Sequence, residues 1–187
     1  GVLGDSGFRG FREAVAAGGV IRGVVAPEGG EASRKQLDSW AELARRHGAA
    51  GVLALRWRGG GLEFQVKAAL DAAALEAAAT RAGLREGGIL LLAAGPESTV
   101  ARALGALRLE LARQYDWIPA DRHDFLWVTE FPLLEWNEED GRWYACNHPF
   151  TAPDPRDLAG LESDPGSVRS RGYDVVLDGV ELGGGSI

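Results

Sequence analysis

The chain has 187 residues, 45% of them apolar and 8% aromatic, enough for a core and consistent with one domain or a small domain plus part of another. Its single cysteine, Cys146, excludes an internal disulfide and suits a reducing, cytoplasmic setting, where it reads as a small packed strand residue. No apolar run is long enough to span a bilayer and no signal-peptide pattern opens the sequence, so no membrane partner is expected.

Charge is placed unevenly. The formal net charge is −7, and from Asp121 onward 5 Lys and Arg stand against 14 Asp and Glu, while the earlier part holds 15 against 13. The first part is therefore no barrier to RNA and no strongly basic patch either. Lysine occurs only as Lys35 and Lys67; beside the abundant alanine and glycine, that bias fits genome composition. Methionine is absent and position 1 is Gly1, so the sequence reads as an internal segment of a longer protein.

A short helical pattern runs through Phe11, Val15 and Ala16 and stops at Gly18 and Gly19. The β-branched run at 20–26 predicts a strand, followed by a loop at 27–32. Ser33 with Gln36 forms a capping box, and Leu37, Trp40, Ala41 and Ala44 recur at helical spacing until Gly48. His47 falls in the last turn, where it serves as a cap. Residues 51–58 predict a strand, 59–61 a turn and 62–66 its partner. An alanine-rich helix follows over 70–82, then a buried strand over 89–94. A last helix begins at Ser98 or Thr99, with Val100, Leu104, Leu107 and Leu111 on one face. This order, α-β-α-β-β-α-β-α, predicts an α+β domain over 1–120 with helices on one face of a mostly antiparallel sheet.

The second unit, 121–187, begins in the connection 117–124, where His123 has no partner at metal-ligand spacing and reads as a solvated loop residue. A long strand over 125–136 is interrupted at Pro132, as an edge or a bulge. Residues 137–141 make a hairpin turn, 142–147 pair back, and 149–168 are mostly loop. The six tryptophans are scattered, which suggests core or interface and not a base-stacking platform. The final stretch, YDVVLDGVELGGGSI, turns at Gly179 and ends in glycines. By composition alone it reads two ways: a floor for a nucleotide and metal site with Asp174 and Glu181 as oxygen ligands, or a glycine-rich tail with solvated carboxylates. No phosphate-binding loop and no dinucleotide fingerprint is present.

Four segments occur in order: DFLWVTEFPLLEW (124–136), NHPFTAP (147–153), ESDPGSVRSRGYDVVLDG (162–179) and VELGGGSI (180–187). Together they closely resemble the catalytic domain of bacterial-type aspartyl-tRNA synthetase, a class II aminoacyl-tRNA synthetase. Everything before them resembles the GAD insertion domain that such enzymes carry within the catalytic core. The resemblance implies an α+β GAD-like domain with helices packed on a mostly antiparallel sheet, followed by antiparallel strands of a class II catalytic domain.

It also implies a chemistry. Enzymes of this family activate aspartate on the α-phosphate of ATP and transfer it to tRNA, which depends on positioning and charge neutralisation. By resemblance, Glu181 contacts ATP and carries Mg²⁺, Asp174 shares the metal, and the backbone of Gly183, Gly184 and Gly185 lies close to ATP. Asn147, His148 and Ser186 fall at the aspartate pocket. The family commonly shows His-His-Pro-Phe-Thr where this chain has Asn147-His148-Pro149-Phe150-Thr151. An amide donates a hydrogen bond but does not titrate near neutrality as histidine does, which puts proton-linked aspartate recognition through this loop in doubt.

The arginine that follows the glycine run in the family would come after Ile187, and the motif-two and motif-three arginines and the anticodon-binding domain have no counterpart here. The segment by itself is therefore expected to be inactive. Implied partners are aspartate and tRNA for aspartate, with tRNA for asparagine open; a cytoplasmic homodimer is expected of the full-length enzyme. The alternatives are a tRNA-binding or docking module of a tRNA-dependent amidotransferase, or a regulatory synthetase paralogue. The first of these would not need residues 147–187.

Overall fold

Five consecutive side chains of one strand, β4 (Ile89–Gly95), are buried, and the first part of the molecule is built around it. A computed structural model of the chain describes residues 3–4, 7–64 and 71–187 and divides it into two units, Gly1–Pro119 and Ala120–Ile187. In the first unit β4 pairs antiparallel with β1 (Val20–Ala26) on one side and β2 (Leu53–Arg58) on the other. Strand β3 (Gly61–Phe64) completes the order β1-β4-β2-β3. Alternate residues of β4 face opposite sides, so its apolar run presents two faces that both need cover.

Helices supply that cover on both faces, not on one. Ile89, Leu91 and Ala93 pack with Leu37, Trp40 and Ala44 of α2 (Arg34–Arg46) and with Val100, Leu104, Leu107 and Leu111 of α4 (Glu97–Gln114). Leu90 and Leu92 pack on the opposite side with Phe11 of α1 (Arg9–Ala16) and Leu75, Ala78 and Ala79 of α3 (Ala72–Arg81). The predicted α+β class with helices on an antiparallel sheet is observed; the single covered face is corrected by Leu90 and Leu92.

Local chemistry sets the helix ends. The Ser33 capping box forms in both directions, with Gln36 N donating to Ser33 Oγ and Ser33 N to Gln36 Oε1. Trp40, 1% exposed, donates from Nε1 to Gln114 Oε1 at 3.1 Å and so ties α2 to the end of α4. His47 is the C-cap of α2, with Gly48 at φ +89° beyond it. Helix α4 starts at Glu97, one residue before Ser98 and two before Thr99, the predicted starts. Neither side chain caps it; the Pro96 carbonyl accepts from Val100 N instead. Residues 65 and 66 of the predicted partner strand, and the predicted start of α3 at Leu70, lie outside the described residues.

In the second unit the predicted long strand over 125–136 is two strands in different sheets. Strand β5 (Phe125–Thr129) ends where Glu130 takes φ +61°, and β6 (Leu134–Asn137) begins after Pro132. A left-handed residue followed closely by a proline cannot continue one ladder, which is why the interruption divides the run. Strand β6 pairs with β7 (Arg142–Ala145) through the predicted 137–141 turn, where Asn137 Oδ1 accepts from the backbone of Glu139 and Asp140. Strand β5 joins β8 (Gly172–Leu177) and β9 (Val180–Ser186) in the order β5-β8-β9.

Candidate functional site

Asp178 and Gly179, at φ +51° and +81°, make the two-residue turn that returns β8 into β9. The glycine run is therefore strand: Gly183, Gly184, Gly185 and Ser186 lie opposite Val175, Asp174, Tyr173 and Gly172. A register shift between Val175 and Val176 leaves Leu182 without an opposing residue, a bulge beside the first glycine.

This register places the two candidate metal ligands on one face. Asp174 and Val176 share a face of β8 by the period of two, and Glu181 lies directly opposite Val176. Asp174 is half-buried and Glu181 exposed, and neither side chain takes part in a hydrogen bond or ion pair among the described residues. No group of three or more His, Cys, Asp or Glu side chains there is arranged to hold a metal. Two free carboxylates are a donor set that suits Mg²⁺, which keeps waters and takes one or two carboxylates together with substrate phosphates.

The glycines have steric reasons. A Cβ on Gly184 would sit 2.0 Å from Asp174 Oδ1, and one on Gly185 would sit 2.8 Å from Tyr173 Oη. Both side chains of β8 lie over the bare backbone of β9, so Asp174 owes its position to Gly184. Gly183 has open space around its Cβ direction.

The loop bearing Asn147 and His148 is hydrogen-bonded to the end of the same strand. Ala152 N donates to Ile187 O at 2.8 Å, and Arg171 N donates to Ala152 O at 2.9 Å. A Cβ on Gly172, the partner of Ser186, would lie 3.3 Å from Asn147 Nδ2. Asn147, Ser186 and the start of β8 thus converge. His148 is exposed; its Nδ1 accepts from Phe150 N at 3.2 Å, which leaves Nε2–H as the donor of the neutral ring. Its ring meets Phe150 edge-on at 5.0 Å. Thr151 is buried, and its Oγ1 has no partner among the described residues.

Several features escaped the sequence pattern. His123 is exposed, as expected of a loop, yet its Nδ1 lies 2.7 Å from Asp178 Oδ2. His123 and the Asp124 N–H, which donates to Oδ1 at 2.8 Å, hold the Asp178 carboxyl below its ordinary range. The tryptophans of the first unit are buried or half-buried, whereas Trp127, Trp136 and Trp143 of the second are exposed. Glu130, at its left-handed position, accepts from two arginines, Arg156 and Arg169. Only the proline two residues later hints at that break; the pairings are 26 and 39 residues apart in sequence.

The GAD domain family model matches residues 11–104. The chain is 40% identical over 186 residues to the aspartate–tRNA(Asp/Asn) ligase of Geotalea uraniireducens, covering 100% of this chain and 31% of that protein. It is 42% identical over 190 residues to the aspartate–tRNA ligase of Ruminiclostridium cellulolyticum, covering 100% and 32%. It is 43% identical over 191 residues to the aspartate–tRNA(Asp/Asn) ligase of Lachnoclostridium phytofermentans, covering 98% and 31%. The chain spans about a third of the length of these curated relatives. It belongs to the GAD domain family, and along its whole length it is similar to a segment of bacterial-type aspartate–tRNA ligases.

Proposed function

We propose that this chain supplies the GAD domain and part of the adenylate-forming centre of an aspartate–tRNA ligase. The reaction joins a carboxylate oxygen of aspartate to the α-phosphorus of ATP with loss of pyrophosphate, then passes the aspartyl group to tRNA. One observation carries the reading. The NHPFT loop and the β8–β9 hairpin, distant in sequence, are hydrogen-bonded into one surface at the end of β9, in a chain similar throughout to ligases of that name.

Each residue has a task that its chemistry allows. Asp174 and Glu181 would hold Mg²⁺, which when bound supplies charge neutralisation to the polyphosphate. Gly184 and Gly185 make room for Asp174 and Tyr173 over β9, and Gly183, with open space in its Cβ direction, leaves bare backbone for ATP to approach. The Asn147 amide and the Ser186 hydroxyl offer neutral donors to the carboxylates of aspartate, and His148 offers its Nε2–H. Recognition through Asn147 therefore does not titrate near neutral pH. The similarity extends past residue 147, which favours the ligase over the amidotransferase module.

Two of the three relatives carry both tRNA(Asp) and tRNA(Asn) in their names, so charging of both tRNAs belongs to the proposal. So do a homodimer and a cytoplasmic location; among the described residues no helix is long and apolar enough to cross a membrane. The test is ATP–pyrophosphate exchange by the whole protein with aspartate, asparagine or glutamate, followed by charging of each tRNA. Exchange with aspartate alone is expected. Absence of aspartate-dependent exchange would count against the ligase and for a binding module.

A further inference from the structure

Both ends of the NHPFT loop are fastened to one pair of antiparallel segments. At its entry, Cys146 N donates to Leu133 O at 3.1 Å. At its exit, Asp154 N donates to Arg169 O at 2.8 Å, and Pro153 bridges Ser170. The segments so used, 130–133 and 168–171, are themselves paired: Ser170 N donates to Phe131 O, Leu133 N donates to Val168 O, and Pro132 bridges Arg169.

Glu130 pins this crossing. Its Oε1 accepts from Arg169 Nη1 at 2.9 Å and from Arg156 Nη2 at 3.0 Å. Arg156 also holds Asp154, and Arg169 holds Asp157 through both carboxylate oxygens. Hydrogen bonds from these arginines hold Asp154 well below the ordinary carboxylate range and lower Asp157 as well. Glu130 is thus the acceptor shared by two arginines that otherwise each have their own aspartate. It occupies φ +61°, a conformation that L residues rarely adopt and that the surroundings must enforce. Removing its carboxylate leaves both arginine–aspartate pairs and the backbone hydrogen bonds in place but deletes the side-chain tie between the β5–β6 crossover and the loop exit, leaving the two guanidinium groups without their shared acceptor.

We infer that Glu130 is a positioning residue for aspartate recognition: by holding Arg156 and Arg169 together, it fixes the NHPFT loop against the start of β8. This rests on the ligase reading, in which Asn147 and His148 face aspartate. It acts on the loop and not on the hairpin turn, so aspartate binding should suffer and ATP binding should not.

The experiment uses the whole protein with Glu130→Gln, which keeps shape and loses charge, and Glu130→Gly, which relaxes the left-handed backbone and removes the side chain. In ATP–pyrophosphate exchange, KM for aspartate should rise about tenfold in both, with kcat and KM for ATP within about twofold of wild type. Glu130→Asp should recover part of the loss. Amide hydrogen exchange over 147–157 should accelerate in the first two variants while exchange in the first unit stays unchanged. An unchanged KM for aspartate overturns the inference. So does a joint fall in kcat and thermal stability with both KM values raised alike, which marks a folding role alone. A wild-type protein without aspartate-dependent exchange defeats the ligase reading instead. Hydrogen exchange then decides separately whether Glu130 holds the loop: unchanged rates at 147–157 overturn that too.

Discussion

In the first unit, residues Ile89 to Ala93 of β4 are buried against helices on both sides; in the second, every residue of β9 is exposed, and so are Phe125 and Trp127 of β5, each at 66%. The two sheets are held by different means. Apolar layers close the first around one strand. The second takes its order from turns, backbone ladders and charged side chains: the Asp178 turn, the Asn137 turn and the arginine crossing at Glu130. Specificity of shape in the first unit is a matter of volume, and in the second of pairing.

Large-to-small substitutions should separate the units most sharply. Trp40→Ala removes a fully buried indole and should cost about 3–5 kcal/mol in urea unfolding. The same change at Trp127, which keeps one edge-on contact with Tyr173, should cost less than about 1 kcal/mol. Comparable losses at both positions would erase the distinction. The next largest effect is expected at Gly184. Alanine there drives Asp174 from its place, and ATP–pyrophosphate exchange by the whole protein should fall about a hundredfold with little change in the first unit.

Acid should distinguish the units by a different route. Asp154, Asp157 and Asp178, all in the second unit, have carboxyls lowered by Arg156, Arg169 and His123 respectively. A lowered folded-state value stabilises fully above the ordinary carboxylate range, near pH 4, and the contribution is lost as pH falls below it through the folded values. Hydrogen exchange during an acid titration should therefore show the second unit loosening first. Earlier loosening of the first unit would contradict this. The smallest effect is expected from Asn147→His. It should add an imidazole titration at position 147 to the KM for aspartate near pH 6.5, changing the profile from that of the wild type. A profile identical to the wild type's would contradict a recognition role for position 147.

Much of the first unit was legible because its determinants are local. Ser33 and Gln36 are three residues apart, and the apolar run at 89–94 announces a strand buried on both sides. The second covered face follows from that run, since Leu90 and Leu92 need partners as much as Leu91 does; counting helices alone does not reveal it. In the second unit the resemblance identified the glycine run and the NHPFT loop. Composition left the glycines as either a site or a tail, and the register with β8 makes them strand. What stayed hidden is non-local: the break at Glu130, its pairing with Arg156 and Arg169, and the contact of His123 with Asp178, 55 residues away. No period or spacing encodes such pairs.

The central claim is that the face of β8 and β9 carrying Asp174 and Glu181 serves ATP and its metal. The direct test is aspartate-dependent ATP–pyrophosphate exchange by the whole protein beside its Glu181→Gln variant, with thermal unfolding of both. The account predicts exchange in the wild type and a loss of about a hundredfold or more in the variant, at unchanged unfolding temperature. A variant that exchanges as fast as the wild type at every Mg²⁺ concentration would contradict it.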